Sequence, residues 1–269
     1  MGESSTAEYW PSLLGTRPVA DWGRMSSPLS PATVRQPLYL FADSQLLFWK
    51  PQSKLLLEGA IANRTADRTG TPTDGPPAAA YIGASNGDRK EFYSIFEAAM
   101  EAIGLTERRM IRSTFDAEDR AFLARAQLIL LAGGDVHLGW STFEKTGMKE
   151  QILERYTQGA TLIGISAGAV QLGQRTVVST EESAALELID VFNLVPALID
   201  VHDEQHEWAR LSRTIHMLEG SVTGLGIPTG GGILAHPDGT LEALRRPVDE
   251  FSWDGTRLKQ SILLPVERE

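Results

Sequence analysis

Short apolar segments that end in small residues alternate with amphipathic segments through the middle of this chain. The segments 78–85, 126–134 and 160–166 are apolar runs of strand length, whereas 89–105 and 148–159 have the spacing of amphipathic helices. Continuous apolar strands are covered on both faces, and helical connections between them favour a parallel sheet. The alternation therefore predicts an α/β fold with three layers, in which a mostly parallel sheet carries helices on both faces.

The first predicted helix also indicates which side chains should pack inward. Its apolar residues recur at helical spacing, so we expect one shared buried face and a glycine that closes the helix. These residues are Phe92, Ile95, Phe96, Met100 and the closing Gly104.

Polar or glycine-rich residues follow three of the predicted strands, at 84–88, 133–135 and 164–166. Ligands of parallel sheets bind beyond the carboxyl ends of the strands, where these tips should meet. Further strands are predicted within 194–202 and 231–239, so more side chains can reach the same rim.

The two ends of the chain differ in composition. Residues 1–36 are rich in Ser, Pro, Thr and Gly, which indicates an N-terminal extension rather than a domain. We expect residues 37–269 to form a single α/β domain, and the polar stretch 63–77 to be a loop.

Charge and residue usage exclude several classes of function. The formal net charge is −10, with 35 acidic and 25 basic residues, which argues against a broad nucleic-acid surface. No cysteine is present, so disulfides, thiolate metal sites and a cysteine nucleophile are excluded. A chain without cysteine suits a reducing cytoplasm, where we expect this protein to act. No apolar stretch approaches the ~18 residues of a membrane-spanning helix.

A serine lies between small residues where a predicted strand becomes a helix. Gly164–Gly168 matches the pattern G-x-S-x-G, in which a tight turn exposes a nucleophilic serine above the sheet. The alternative is that small residues only let the strand and helix pack closely. In the catalytic interpretation, the N–H of Ala167 and a second donor from the 133–135 loop, at Gly134, stabilise a developing oxyanion.

A nucleophilic serine needs a general base, and the chain has five histidines. His202 ends the predicted strand "ALIDVH" and therefore lies at the same rim as Ser166. The other four histidines are His137, His206, His216 and His236. We expect His202 to be the base.

The segments "YIGASNGD", "LLAGGD", "GISAGAV", "DVH" and "HPDG" together resemble, in their order, the serine peptidase family that contains aspartyl dipeptidase and cyanophycinase. The resemblance covers residues 78–240. It implies a flavodoxin-like, class I glutamine amidotransferase-like fold with serine in place of cysteine. It also implies Ser166 as nucleophile, His202 as base, and Gly134 and Ala167 as the oxyanion hole.

The third member of the triad is less defined. The spacing in aspartyl dipeptidases implies Glu181, with Glu182 next, although acidic residues there also suit an exposed helix start. Cyanophycinases carry the acid in a G-x-G-I-D-E segment, where this chain has Pro228 and Thr229. Asp203 and Glu204 remain open because they lie so close to His202.

The resemblance also bears on the substrate. Both named relatives cleave bonds beside an aspartyl residue, so Arg210 or Arg213 could bind a substrate carboxylate, unless they form only a solvated basic face. We also assign Asp135 to substrate binding. Val136 and Asp203 replace residues typical of cyanophycinases, which argues against strict cyanophycinase activity.

The sequence therefore predicts a serine peptidase or amidohydrolase that cleaves a small peptide or amino-acid conjugate beside an aspartyl or isoaspartyl residue. An acyl-enzyme on Ser166 requires no metal or other cofactor. The alternatives are a biosynthetic aminoacyl hydrolase or acyltransferase, and a non-catalytic ligand-binding homologue. No nucleic-acid or membrane partner is expected, and relatives that are often dimers make a homodimer the oligomer to test.

Overall fold

The computed structural model describes residues 16–18, 35–62, 76–180, 183–218 and 222–266. The strands in these residues are β1 Thr16–Pro18, β2 Leu38–Phe41, β3 Ala78–Ile82, β4 Glu107–Ile111, β5 Leu128–Leu131, β6 Thr161–Ile165, β7 Arg175–Thr180, β8 Ser183–Asp190, β9 Leu198–Val201, β10 Thr223–Ile227, β11 Gly232–Ala235, β12 Thr240–Leu244, β13 Val248–Trp253 and β14 Leu258–Leu263. The α-helices are α1 Leu56–Ala62, α2 Lys90–Ala102, α3 Ala117–Leu123, α4 Val136–Thr146, α5 Met148–Thr157, α6 Ala167–Leu172 and α7 Ala209–Leu218.

The main sheet has eight strands in the order β1-β12-β11-β2-β6-β5-β3-β4. Neighbouring strands pair in parallel from β2 through β6, β5 and β3 to β4. The pairs β2–β11, β11–β12 and β12–β1 are antiparallel. Alternate residues of β2 enter two different apolar clusters, one with α2 and one with α4 and α5. The predicted α/β fold, a mostly parallel sheet with helices on both faces, is therefore confirmed.

A second sheet of four strands, in the order β14-β13-β10-β9, packs on one side of the main sheet. Ile199 of β9 and Ile227 of β10 belong to the same buried cluster as Leu40 of β2. The opposite face of this sheet is covered by α7, through Leu211 and Ile215. The strand predicted within 194–202 thus lies beside the main sheet rather than in it.

Helix α2 packs through a different stripe from the one predicted. Phe96 and Met100 are buried, but Phe92 and Ile95 are exposed, so the prediction for these two residues was wrong. Tyr93 takes the place of Phe92, and its ring stacks on Phe96 with centroids 5.9 Å apart. Each exposed residue precedes a packed one by a single position, about 100° around the helix.

The N-terminal region contributes to the sheet where it is described. Thr16–Pro18 pairs with β12 in antiparallel register, so at least this part of the predicted extension lies on the domain. Residues 1–15, 19–34 and 63–75 are outside the described residues. The division into an extension and a single domain stays a prediction.

The main sheet and α6 pack so closely that a methyl group added at their contact should lower the stability of the protein. A Cβ added at Gly168 would lie 2.2 Å from the carbonyl oxygen of Leu131, whereas one added at Gly59 would meet nothing within 4 Å. We expect Gly168→Ala to lower the free energy of unfolding by about 3 kcal/mol, because neither backbone can move. Gly59→Ala, in helix α1, should raise it by about 0.5–1 kcal/mol.

Urea unfolding of both variants measures this difference. A Gly168→Ala protein as stable as the wild type would show that the sheet and α6 are packed less closely than described.

Candidate active site

Ser166 occupies the single residue between β6 and α6. Its backbone has φ 50° and ψ −112°, a conformation that residues other than glycine rarely adopt. The Ser166 N–H donates to the carbonyl of Phe41 at 2.9 Å, which ties the turn to the end of β2. The strand, the turn and the helix therefore hold the hydroxyl at the carboxyl end of the sheet.

His202 reaches the same hydroxyl from the second sheet. The Oγ of Ser166 and the Nε2 of His202 are 2.9 Å apart, a hydrogen-bond distance. His202 follows β9 directly, has φ 44°, and donates its N–H to the carbonyl of Ile227 at 2.9 Å. With the proton on Nδ1, Nε2 of this ring can accept the serine proton.

The loop after β5 lies against Ser166. A Cβ built on Gly133 would be 3.1 Å from the Cβ of Ser166. Gly134 has φ 137°, and a Cβ there would be 2.0 Å from the carbonyl oxygen of Ser85, so only glycine fits. Within the described residues, neither the N–H of Gly134 nor that of Ala167 makes a hydrogen bond. Both groups can therefore bind an external oxyanion.

A side-chain network supports this loop from the end of β3. Asn86 Nδ2 donates to the carbonyl of Gly133 at 3.1 Å and to the hydroxyl of Tyr81 at 3.0 Å. Burial raises the pKa of Tyr81 to about 12, although its bond to Asn86 opposes the shift. The two hydrogen bonds together orient the Asn86 amide against the loop. The three tips predicted to meet, at Ser85, Gly133 and Ser166, do lie together.

Two of the three residues predicted to bind substrate have other contacts. Asp135 caps α4, since its Oδ1 accepts the N–H of Leu138 at 2.7 Å. Arg210 pairs with the buried carboxylate of Asp200. Arg213 is exposed and makes no ion pair within the described part of the chain.

The two predicted triad acids, Glu181 and Glu182, lie outside the described residues. Their role stays a prediction.

Glu204, which the sequence left open, lies beside the histidine. Its Oε1 accepts the backbone N–H of Thr229 at 3.1 Å, and its Oε2 is buried without a hydrogen-bond partner. Burial raises the pKa of this carboxyl, but hydrogen bonds from Thr229 and its own backbone, with the nearby charge of His202, bring it below the ordinary value. The carboxylate is therefore ionised at neutral pH.

Two arginines at this rim were missed by the sequence analysis. Arg245 and Arg246 approach Gly230, where an added Cβ would lie 3.7 Å from Nη1 of the first and 3.6 Å from Nε of the second. Gly230 is held at the end of β2 by the Oδ2 of Asp43, at 2.6 Å. The pairing of β12 with β11, and of β11 with β2, brings these cations to the end of the sheet at which Ser166 lies, so their sequence position gives no signal.

Two general properties of the described residues bear on the chemistry. No group of three or more His, Cys, Asp or Glu among them could hold a metal ion. None of their helices has the length and apolar character needed to cross a bilayer.

Comparison with known families places this site in context. The sequence model of peptidase family S51 matches residues 73–241, more than half of the chain. The chain belongs to peptidase family S51. By family it is a serine peptidase, as the resemblance implied. A comparison with curated protein sequences found no match.

Solved structures agree on the fold. A peptidase from an acI-B1 actinobacterium superposes with a TM-score of 0.56 at 15% identity, over 84% of this chain and 94% of that one. A peptidase E-like protein from Listeria monocytogenes EGD-e superposes with a TM-score of 0.52 at 18% identity, over 85% of this chain and 98% of that one. The S51 peptidase therefore shares its fold with these proteins.

The strained backbone at Ser166 makes the first prediction about the site. Ser166→Gly should relieve the positive φ, whereas Ser166→Ala keeps it, and both lose the hydroxyl. We expect Ser166→Gly to be more stable than Ser166→Ala by about 1 kcal/mol, even though glycine costs more chain entropy on folding. Chemical unfolding of the two variants measures the difference. A less stable glycine variant would contradict the described strain.

The network beneath the oxyanion loop makes a second prediction. Asn86→Ala removes the donor to Gly133, so we expect fluorophosphonate labelling of Ser166 to slow by up to about 100-fold through misplacement of the loop. Tyr81→Phe keeps that donor and should slow labelling much less. Equal rates for Asn86→Ala and wild type would show that the loop is held without Asn86.

Proposed function

We propose that this S51 peptidase cleaves small peptides or amino-acid conjugates beside an aspartyl or isoaspartyl residue, through an acyl-enzyme on Ser166. The observation that carries the proposal is the 2.9 Å contact between the Ser166 hydroxyl and Nε2 of His202. In this proposal the contact pairs a nucleophile with a base beyond the carboxyl end of a parallel sheet, where such folds bind ligands.

The reaction follows from this contact in two steps. Ser166 Oγ attacks the carbonyl carbon of the scissile amide while His202 Nε2 takes the hydroxyl proton. The imidazolium returns that proton to the leaving amine, the C–N bond breaks, and an ester on Ser166 remains. Water then attacks the ester with the same histidine as base, which releases the acid and restores the serine.

The oxyanion formed in each step needs donors that are already in place. Within the described residues, the N–H groups of Gly134 and Ala167 make no hydrogen bond. Ala167 is the first residue of α6, and Ser166 precedes it. Donors fixed in advance avoid reorganisation during the reaction, and one such donor is worth about 10²–10³ in rate. We assign both groups to the oxyanion hole.

Cations at the rim support an acidic substrate on a chain of net charge −10. Arg213 is exposed, and Arg245 and Arg246 lie beside Gly230 at the end of β2. Arginine suits a carboxylate because its planar fork can donate two parallel hydrogen bonds. Arg210 is the weaker candidate, since Asp200 already holds its guanidinium.

Dipeptide hydrolysis tests the activity and its selectivity together. We expect the wild type to cleave Asp-X or isoAsp-X dipeptides faster than the matched Asn-X peptides. Ser166→Ala and His202→Ala should each lower kcat by about 10⁴-fold or more. Arg213→Ala or Arg245→Ala should lower kcat/KM for the acidic peptide by about 10-fold and leave the amide peptide unchanged.

Arg257→Ala is the matched control, because Arg257 lies between β13 and β14, at the opposite end of the second sheet from His202. Activity that survives in Ser166→Ala would overturn the mechanism. Equal cleavage of acidic and amide peptides by the wild type would overturn the substrate class. Transfer of the acyl group to an added amine, with little hydrolysis, would favour the acyltransferase alternative.

Location and assembly also belong to the proposal. We expect the protein to act in the cytoplasm and to form a homodimer, which light scattering of the purified chain would test.

A further inference from the structure

The histidine at this site needs an acceptor on its far side. For Nε2 to take the serine proton, the ring must carry its own proton on Nδ1, and a hydrogen bond to Nδ1–H fixes that tautomer. No residue in the described part of the chain is hydrogen-bonded to Nδ1 of His202. The ring is exposed, and the hydrogen bond that the described residues give it, to Ser166 at Nε2, leaves Nδ1 without an acceptor.

The register of the second sheet brings one carboxylate close to His202. Strands β9 and β10 are parallel, with Val201 opposite Ile227. The residues just beyond each strand, His202 and the turn containing Thr229, therefore leave the sheet side by side. Glu204 lies two residues after His202, and its carboxylate is anchored on the N–H of Thr229.

Only half of that carboxylate is satisfied. The anchor uses Oε1, while Oε2 is buried without a partner. A buried acceptor without a donor destabilises the fold, and more so when it is charged. Within the described residues, the carboxylate thus offers an acceptor without a donor, and Nδ1 of the nearby ring is without an acceptor.

The other charged groups around His202 are engaged elsewhere. Asp203 Oδ1 contacts Nδ1 of His206 at 2.8 Å. The carboxylate of Asp200 is paired with Arg210, and Asp43 accepts the N–H groups of Gln45 and Gly230. Of the described acidic residues near the ring, Glu204 is the one with a free buried oxygen.

We propose that Glu204 is the positioning residue of His202: its Oε2 accepts the hydrogen bond of Nδ1–H while its Oε1 stays on Thr229. This inference rests on the proposed function of Ser166 and His202. The carboxylate would fix the neutral tautomer before attack and stabilise the imidazolium formed during it. The base and its orienting acid then come from one loop, held against a second strand end.

Labelling with a fluorophosphonate, followed across pH, tests the proposal. Glu204→Gln keeps the oxygen that accepts from Thr229 but removes the charge, so the fold should be retained. We expect it to slow labelling of Ser166 by about 10²–10⁴-fold. The midpoint of the pH–rate profile should also fall, because the imidazolium loses its counter-charge. Glu204→Asp should recover part of the rate.

A matched control and a rival acid separate this role from its alternatives. Asp203→Asn, next to Glu204, should stay within about three-fold of the wild type. A Glu204→Gln protein that labels at the wild-type rate with an unchanged pH midpoint would overturn the proposal and leave the proposed function intact. A large loss in Glu181→Gln, with Glu204→Gln unaffected, would overturn it in favour of Glu181.

A spectroscopic readout covers the case in which activity is absent. The Nδ1 proton of His202 should give a strongly downfield NMR signal in both the wild type and Ser166→Ala, and Glu204→Gln should abolish it. A signal that persists in Glu204→Gln would contradict the hydrogen bond. A wild type that neither labels nor cleaves peptides would instead contradict the proposed function itself.

Discussion

The hydrogen bond between Ser166 and His202 joins two sheets that contribute to one buried apolar cluster. Ser166 stands at the end of β6 in the main sheet, and His202 at the end of β9 in the second. A 2.9 Å contact across that boundary requires the sheets to keep a fixed distance. The shared buried cluster of β2, β9 and β10 provides that constraint, because close-packed cores resist small displacements.

Backbone strain is concentrated at the same contact. Both Ser166 and His202 have positive φ, and such residues cost about 1–3 kcal/mol each unless their surroundings impose the conformation. The surroundings here are strand ends: Phe41 holds the N–H of Ser166, and Ile227 holds that of His202. The stable sheets thus hold both backbones in these conformations, which keeps the side chains of Ser166 and His202 in contact.

Much of this site could be predicted from local sequence. Strand ends marked by glycine and serine located the turn at Ser166 and the loop at Gly133, because a parallel sheet brings such ends together. What depends on partners distant in sequence could not be predicted. The pairing of Arg210 with Asp200, the exposure of Phe92, and the approach of Arg245 to Gly230 are set by tertiary packing. The resemblance placed the cyanophycinase acid in the segment where this chain has Pro228 and Thr229, and in the fold the N–H of Thr229 holds the carboxylate of Glu204.

The central claim is that His202 activates Ser166 as a nucleophile. Intact-mass spectrometry after incubation with a fluorophosphonate measures this directly. We expect one adduct on the wild type, located on Ser166, absent from Ser166→Ala and formed much more slowly by His202→Ala. A folded wild type without an adduct, or an adduct that remains in Ser166→Ala, would contradict it.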